Sequence, residues 1–270
     1  MVAWPEVIMT AALDRQAEFE LVELDLLATH AGVPFPFPLR VPSFGRLAGE
    51  RDVLLAEAGH ALCERGLATE HAPTGLAAEL VTALREHRSA LDLVVLGSDT
   101  ATGVVAMVYG DRAVLCRQPL CGERAGTVRV YRITAAALAD ELIALVPAVP
   151  PAVTMPITLP PGVIGDTLRL LSNTADTPAT RRCVRQLVRE YGGDDAVVDQ
   201  LVALLPALTG RGQLGVVRAP GSRPLELSWL DSPRGRVRVS RDDRGWVSVN
   251  PLRHGELVRL TRAAATLARG

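Results

Sequence analysis

Lysine is absent from this 270-residue chain, and all 29 basic residues are arginine. The bias matches a GC-rich coding sequence and carries no mechanistic weight. Aromatic residues make up only 4% of the chain. Proteins that grip single-stranded nucleic acid stack bases on aromatic rings, so this scarcity argues against that class. The four cysteines, Cys63, Cys116, Cys121 and Cys183, have no zinc spacing and are too few for a disulfide scaffold. They are expected as buried thiols in a reducing cytosol. No apolar run reaches the 18 or so residues that a membrane-spanning helix needs. The opening Met1-Val2-Ala3-Trp4-Pro5-Glu6 lacks a basic region, and Pro5 and Glu6 interrupt its apolar stretch, so it does not read as a signal peptide. A cytoplasmic location without membrane insertion is expected.

The motifs of common chemistries are missing too. No G-x-S-x-G elbow occurs, and no cysteine precedes a convincing histidine partner. His60 and Cys63 stand three apart on a predicted helix, but two further ligands at matching spacing are lacking. Asp194-Asp195 and Asp242-Asp243 fall in turn or cap contexts, where aspartate serves local hydrogen bonding. No nucleophile, base and orienter assemble, so neither catalytic residues nor a cofactor or metal is expected. Gly210-Arg211-Gly212-Gln213-Leu214-Gly215 spells G-x-G-x-x-G. A dinucleotide site needs a strand before that motif and a helix after it, whereas here a helical pattern precedes and a strand pattern follows. The glycines read instead as a helix cap and turn.

Hydrophobic residues supply 48% of the chain and its mean hydropathy is +0.20, enough for a core of Leu, Val, Ala and Ile. The net charge of −1 hides an asymmetry. Residues 1–150 hold 12 Arg against 19 Asp and Glu; residues 151–270 hold 17 against 11. The basic second half either attracts the acidic first half or presents a basic face to a partner.

Internal repetition organises the rest. In residues 91–146, apolar runs at 91–97, 103–109 and 112–117 precede an alternating run at 127–131, then a helical pattern from 135 to 146 that Thr134 would cap. In residues 212–269, strand patterns at 213–218, 225–230, 236–240 and 246–249 are separated by turn signals and followed by a helical pattern at 254–268. The last two strands and the helix align at an offset of 119: Gly126 with Gly245, Val128 with Val247, Val130 with Val249, Ile133 with Leu252, and Leu138 with Leu257. Each unit follows two helical patterns, at 50–65 and 75–88, then at 178–191 and 194–208. The expected fold is α+β: two αα–ββββ–α halves, 1–150 and 151–270, related by a pseudo-two-fold around an antiparallel sheet in one globular body, with helical subdomains at the ends. Between Gly32 and Gly45, Pro34, Pro36, Pro38 and Pro42 preclude a helix. That segment is expected to be extended and to pin Phe35 and Phe37 on the core.

Several runs are similar to those of a known family. Gly212-Gln213-Leu214-Gly215-Val216 resembles the G-Q-F-G-V run of EspG proteins, with Leu214 where Phe is common. The stretch Leu230-Asp231-Ser232-Pro233-Arg234-Gly235-Arg236-Val237-Arg238-Val239 resembles their D-T-x-x-G-R strand. Gly245-Trp246-Val247-Ser248-Val249-Asn250-Pro251 resembles their closing G-W-V-T-V-x-P. Residues 19–32, then Pro38-Leu39-Arg40-Val41, resemble the family's opening strand, helix and extended segment, and the N-terminal extension before them is a departure.

The resemblance implies a cytoplasmic, non-enzymatic chaperone of the type VII (ESX) secretion system. It would bind the helical tip of PE/PPE-like heterodimers through the sheet and the C-terminal helical subdomain, keep them soluble and deliver them to the secretion machinery. Under that reading the partner-binding residues are expected on the second-half strands: Gln213, Arg218, Glu226, Trp229, Asp231, Arg236 and Arg238. Alternation keeps them from sharing one surface, and Trp229 reads equally as core. The Arg236 and Arg238 stripe could in principle meet phosphate, but the near-neutral balance argues against nucleic acid. The competing reading is a non-enzymatic regulatory or scaffold module unrelated to secretion substrates.

Overall fold

Apolar runs separated by two- or three-residue turns fold back on their neighbours, because a tight turn can join only antiparallel strands. Glycines at left-handed φ close two of these hairpins, Gly110 at φ 57° and Gly235 at φ 109°. The computed structural model describes residues 15–122, 126–154, 156–163, 166, 178–192, 208–218 and 221–270. Within them the strands are β1 (Gln16–Glu20), β2 (Ser89–Gly97), β3 (Ala101–Tyr109), β4 (Arg112–Pro119), β5 (Thr127–Thr134), β6 (Ile157–Leu159), β7 (Gly210–Arg218), β8 (Ser222–Ser232), β9 (Gly235–Arg241) and β10 (Val247–Pro251). The helices are α1 (Leu21–Ala31), α2 (Ala48–Glu64), α3 (Gly75–Glu86), α4 (Leu138–Ala144), α5 (Pro178–Glu190) and α6 (His254–Arg269).

All ten strands form one antiparallel sheet in the order β1-β5-β4-β3-β2-β7-β8-β9-β10-β6. The class is α+β, as the sequence pattern implies. Read outward from the β2–β7 pair, each direction gives three hairpin-linked neighbours and then a short outer strand. The apolar residues aligned at the 119 offset lie on matching faces of the sheet. Ile133 and Leu252 pack in the core under α4 and α6, as do Leu138 and Leu257, while Val128, Val130, Val247 and Val249 point to the other side.

Three cores follow from the period-two alternation. On one face, α4 and α6 cover Leu91, Leu93, Val104, Ala106, Leu214, Val216, Leu227 and Trp229. The α6 residues that do so, Leu257, Thr261, Ala264, Ala265 and Ala268, form one helical stripe. On the opposite face, α1, α2 and α3 cover Val105, Met107, Val114, Cys116, Val128 and Val130. Further along that face, α5 sets Val184 and Val188 on Val237, Val247, Val249 and β6. Burial of these side chains contributes about 1.5–3 kcal/mol for each large apolar group.

The structure departs from the sequence expectations in several places. Helix α4 starts at Leu138 rather than 135, because the Thr134 hydroxyl accepts from the Ala137 N–H at 3.3 Å and closes a turn there first. Cys116 is buried, and burial pushes its thiol well above the ordinary range, but Cys121 and Cys183 are exposed. The helical pattern at 194–208 lies outside the described residues except for Leu208. In residues 32–45, Leu39 is buried and Phe35 and Val41 pack on the first-half core, whereas Phe37 is 61% exposed. The Gln118 side chain holds that segment like a piece of ladder, accepting from the Arg40 N–H at 2.7 Å and donating to its carbonyl at 3.1 Å.

Asp25 on α1 anchors the far end of the same segment. It accepts from Arg51 at 2.6 and 3.0 Å and from the Phe44 N–H at 2.8 Å. Burial alone would raise the Asp25 carboxyl, but these bonds and the Arg51 charge outweigh it and hold it below the ordinary 3.8. A depressed folded-state value contributes stability that is complete above 3.8 and is lost as pH falls through the lower value. The Phe44 amide should therefore stay protected from hydrogen exchange at neutral pH and lose protection only in that acid window. Loss already above about pH 5 contradicts the clamp.

Candidate functional site: the open middle of the sheet

The face opposite α6 has a helical cover at each end and, among the described residues, none in the middle. There β2, β7 and β8 present rows of paired residues. Val94, Gln213 and Ser228 form one row; Leu96 and Arg211 form the next, which ends at Leu230 against the α5 core; Asp92, Gly215 and Glu226 form a third. Val94, Leu96, Gln213 and Ser228 are half-buried, and Arg211 and Glu226 are exposed. The result is a shallow, half-apolar strip with charges at its ends.

The seven residues expected at a partner surface are distributed otherwise. Gln213 and Glu226 lie on the open strip. Trp229 is 1% exposed and belongs to the core under α6. Its ring lies on Gly212, where an added Cβ would stand 2.0 Å from the ring, and the Arg236 guanidinium stacks 5.4 Å from the ring centroid. Arg236 and Asp231 are buried at 2% and 6% and form a bidentate pair at 2.6 and 2.8 Å. Arg236 also donates to the Pro147 carbonyl at 3.0 Å, and its backbone bonds Pro150, Ala152 and Leu252. Trp229, Asp231 and Arg236 therefore join residues 147–152 to the sheet and present nothing outward. The reason is the cross-strand pairing of Asp231 with Arg236, which turns both toward the α6 side. Arg218 and Arg238 face that side as well. Arg218 donates to the Leu267 carbonyl near the end of α6, and Arg238 pairs with Glu256 of α6 at 3.0 Å. Both fasten the helix.

The glycine motif serves the same packing. Gly210, Gly212 and Gly215 lie within β7 rather than in a cap or turn. Gly212 admits the Trp229 ring on one face, and Gly215 admits Asp92 on the other, where a Cβ would come within 2.9 Å of Asp92 Oδ1. Arg223 reaches the same spot because of a β-bulge. Val216 pairs with Leu225 and Arg218 with Ser222, so Val217 alone faces both Arg223 and Pro224. The extra residue reverses the alternation and sends Arg223 across Gly215 to donate to Asp92 Oδ2. Strict period two places Arg223 with Leu225 on the α6 side, so neither it nor Asp92 was expected at this face; Pro224, a residue tolerated at bulges, is the one sequence signal. Burial raises the Asp92 carboxyl above the ordinary range against the pull of Arg223, and Glu226 adds to the rise.

Concavities also lie away from the strip. A groove of 520 Å³ between α1, α2 and residues 68–73 is floored by leucines, with His30, His60, Cys63 and His71 on its lining. An open polar basin of 1170 Å³ at the lower end of β3, β4 and α6 gathers Arg88, Arg112, Arg218 and Arg269 with Glu86 and Asp111. Among the described residues no three His, Cys, Asp or Glu side chains are grouped to hold a metal, and no helix is long and apolar enough to cross a membrane.

The family model described as EspG family matches residues 20–262, nearly the whole of this sheet and its helices. This chain belongs to the EspG family. Similarity to solved structures agrees at the level of fold. The Mycobacterium tuberculosis type VII secretion system chaperone EspG5, solved in complex with a PE25–PPE41 dimer, superposes with a TM-score of 0.64 at 12% identity. The match covers 92% of this chain and 95% of that one. No curated protein matches. In this EspG-family chain the D-S-P-R-G-R stretch is thus a structural joint. Arg236→Ala should destabilise the fold by about 3–5 kcal/mol, because it leaves Asp231 buried and unpaired. The double replacement Asp231→Leu with Arg236→Met should cost markedly less. Urea denaturation reads both, and an Arg236→Ala variant as stable as wild type contradicts the assignment.

Proposed function

We propose that this chain is a cytoplasmic chaperone of type VII secretion that holds a helical PE/PPE-type heterodimer on the open middle of its sheet. It covers the heterodimer's exposed apolar tip, keeps it soluble and delivers it to the secretion machinery, without chemistry of its own. The observation that carries the reading is the family match along residues 20–262. The partner seen with the structurally similar EspG5, a PE25–PPE41 dimer, supplies the substrate class.

The geometry supports this reading. A pair of helices that exposes apolar side chains aggregates unless another surface covers them. The strip around Val94, Leu96, Gln213 and Ser228 is long, shallow and half-apolar, which suits a helical tip better than a small molecule, whose sites are concave and enclosing. Residues 1–150 and 151–270 then act as one body, the first contributing β2 and the second β7 and β8. Gln213 and Glu226 would meet the partner, while Arg218 and Arg238 hold α6 behind the sheet.

The test is co-expression with PE25–PPE41 and with further PE/PPE-type heterodimers. A heterodimer should become soluble and co-purify with the chain. The double substitution Gln213→Arg with Ser228→Arg on the open strip should weaken binding at least about tenfold, roughly 1.4 kcal/mol, without lowering the melting temperature. A heterodimer that binds the doubly substituted chain as tightly as wild type places the interface elsewhere.

A further inference from the structure

The strip contains a buried polar atom that no described residue bonds. Asp92 is 1% exposed overall, and its Oδ2 is taken by Arg223. Its Oδ1 is buried without a hydrogen-bond partner among the described residues. An ionised carboxylate with an idle oxygen is costly to bury. Three separate features of the sequence nevertheless converge on it. Gly215 leaves the space it fills, the Arg223–Pro224 bulge turns a guanidinium onto it, and the run from Ser89 to Leu93 buries its strand on both sides. Nothing in the core requires a charge there, since the residues before and after it, Leu91 and Leu93, pack under α6 on the other face.

We propose that Asp92 is a specificity-determining acceptor of the docking face, its idle Oδ1 taking a hydrogen bond from a lysine or arginine on the helical tip of the partner. This rests on the reading of the strip as the docking surface. The charge of the spot selects the donor. Asp92 and Glu226 carry two negative charges, Arg223 one positive, and Glu226 also lies 3.6 Å from Arg223. A cationic side chain completes that set, and complementary charge at a contact sets register and partner choice. Arg223, whose side chain is 35% exposed, is the movable cover: it shifts along the strand to Glu226 when the partner's cation reaches Asp92. A basic partner residue is read deep in the sheet, where desolvation makes the discrimination sharp.

Full-length chains carrying Asp92→Asn or Asp92→Leu decide the matter by two readouts, the melting temperature and the affinity for PE25–PPE41 in calorimetry. Both variants should melt within about 2 °C of wild type or above it, since a carboxylate kept for a partner does not serve the fold. Both should bind at least about tenfold more weakly, and the wild-type affinity should fall with added salt more steeply than that of the variants. Unchanged affinity overturns the assignment. So does a fall in melting temperature of more than about 5 °C in both variants, which makes Asp92–Arg223 a structural pair. A wild-type chain that ignores PE25–PPE41 contradicts that heterodimer as its substrate and not Asp92's role; the melting comparison alone then decides, a more stable variant supporting a carboxylate kept for a partner and a less stable one overturning it.

Discussion

The antiparallel pairing of β2 with β7 is the contact on which the rest of the molecule depends. It runs over nine residue pairs, from Ser89 opposite Arg218 to Gly97 opposite Gly210. Without it β2 and β7 would each be a long, apolar, unpaired strand, the kind of edge that aggregates. With it the two edges satisfy each other's backbone groups and become the centre of a ten-stranded sheet. The pairing also decides what the molecule can offer a partner. The helical covers lie over the outer strands toward either end, so among the described residues the middle of one face is clear.

That middle is held in place by what lies behind and beneath it. On the α6 side, Trp229 fills the space over Gly212, Arg236 stacks on Trp229 and clasps Asp231, and the same guanidinium holds the linker at Pro147. Arg218 and Arg238 then fix α6 across the junction. A buried charge cluster of this kind rarely adds much stability over an apolar replacement, but it admits one arrangement only. The linker, the junction strands and the last helix are therefore placed by a single set of bonds. Of the arginines after residue 150, Arg218, Arg236 and Arg238 are spent on this joint, while Arg211, Arg234, Arg241, Arg244, Arg253 and Arg262 stay exposed.

Much of the fold was legible because period-two alternation and turn chemistry are local. The Val- and Leu-rich runs, the glycine turns and the 119-residue offset gave eight of the ten strands and their order of connection. The strand β6 was not legible, since three residues between prolines carry no periodic signal. The candidate site was harder to read. Gln213 and Glu226 were found on the open face because alternation in β7 and β8 holds there. Arg236 reads from the sequence as surface, and Trp229 equally as surface or core, because a strand's alternation separates two faces without saying which one a helix covers. Arg223 was hidden by the bulge, which reverses alternation for a single residue, and Asp92 by its apolar neighbours, among which one acid reads as a solvated exception. The family resemblance, by contrast, came from short motifs whose residues prove to be joints: Gly212 and Gly215 make room, and Asp231 and Arg236 clasp.

On the proposed function, a partner docks across the β2–β7 junction, on the middle of the sheet that the described residues leave uncovered. Hydrogen–deuterium exchange on the chain, alone and with a bound PE/PPE-type heterodimer, tests it most directly. New protection should concentrate on residues 92–97, 211–215 and 226–230, leaving α6 and the groove between α1 and α2 unchanged. Protection confined to α6 or to that groove, with the junction strands exchanging as before, would contradict it.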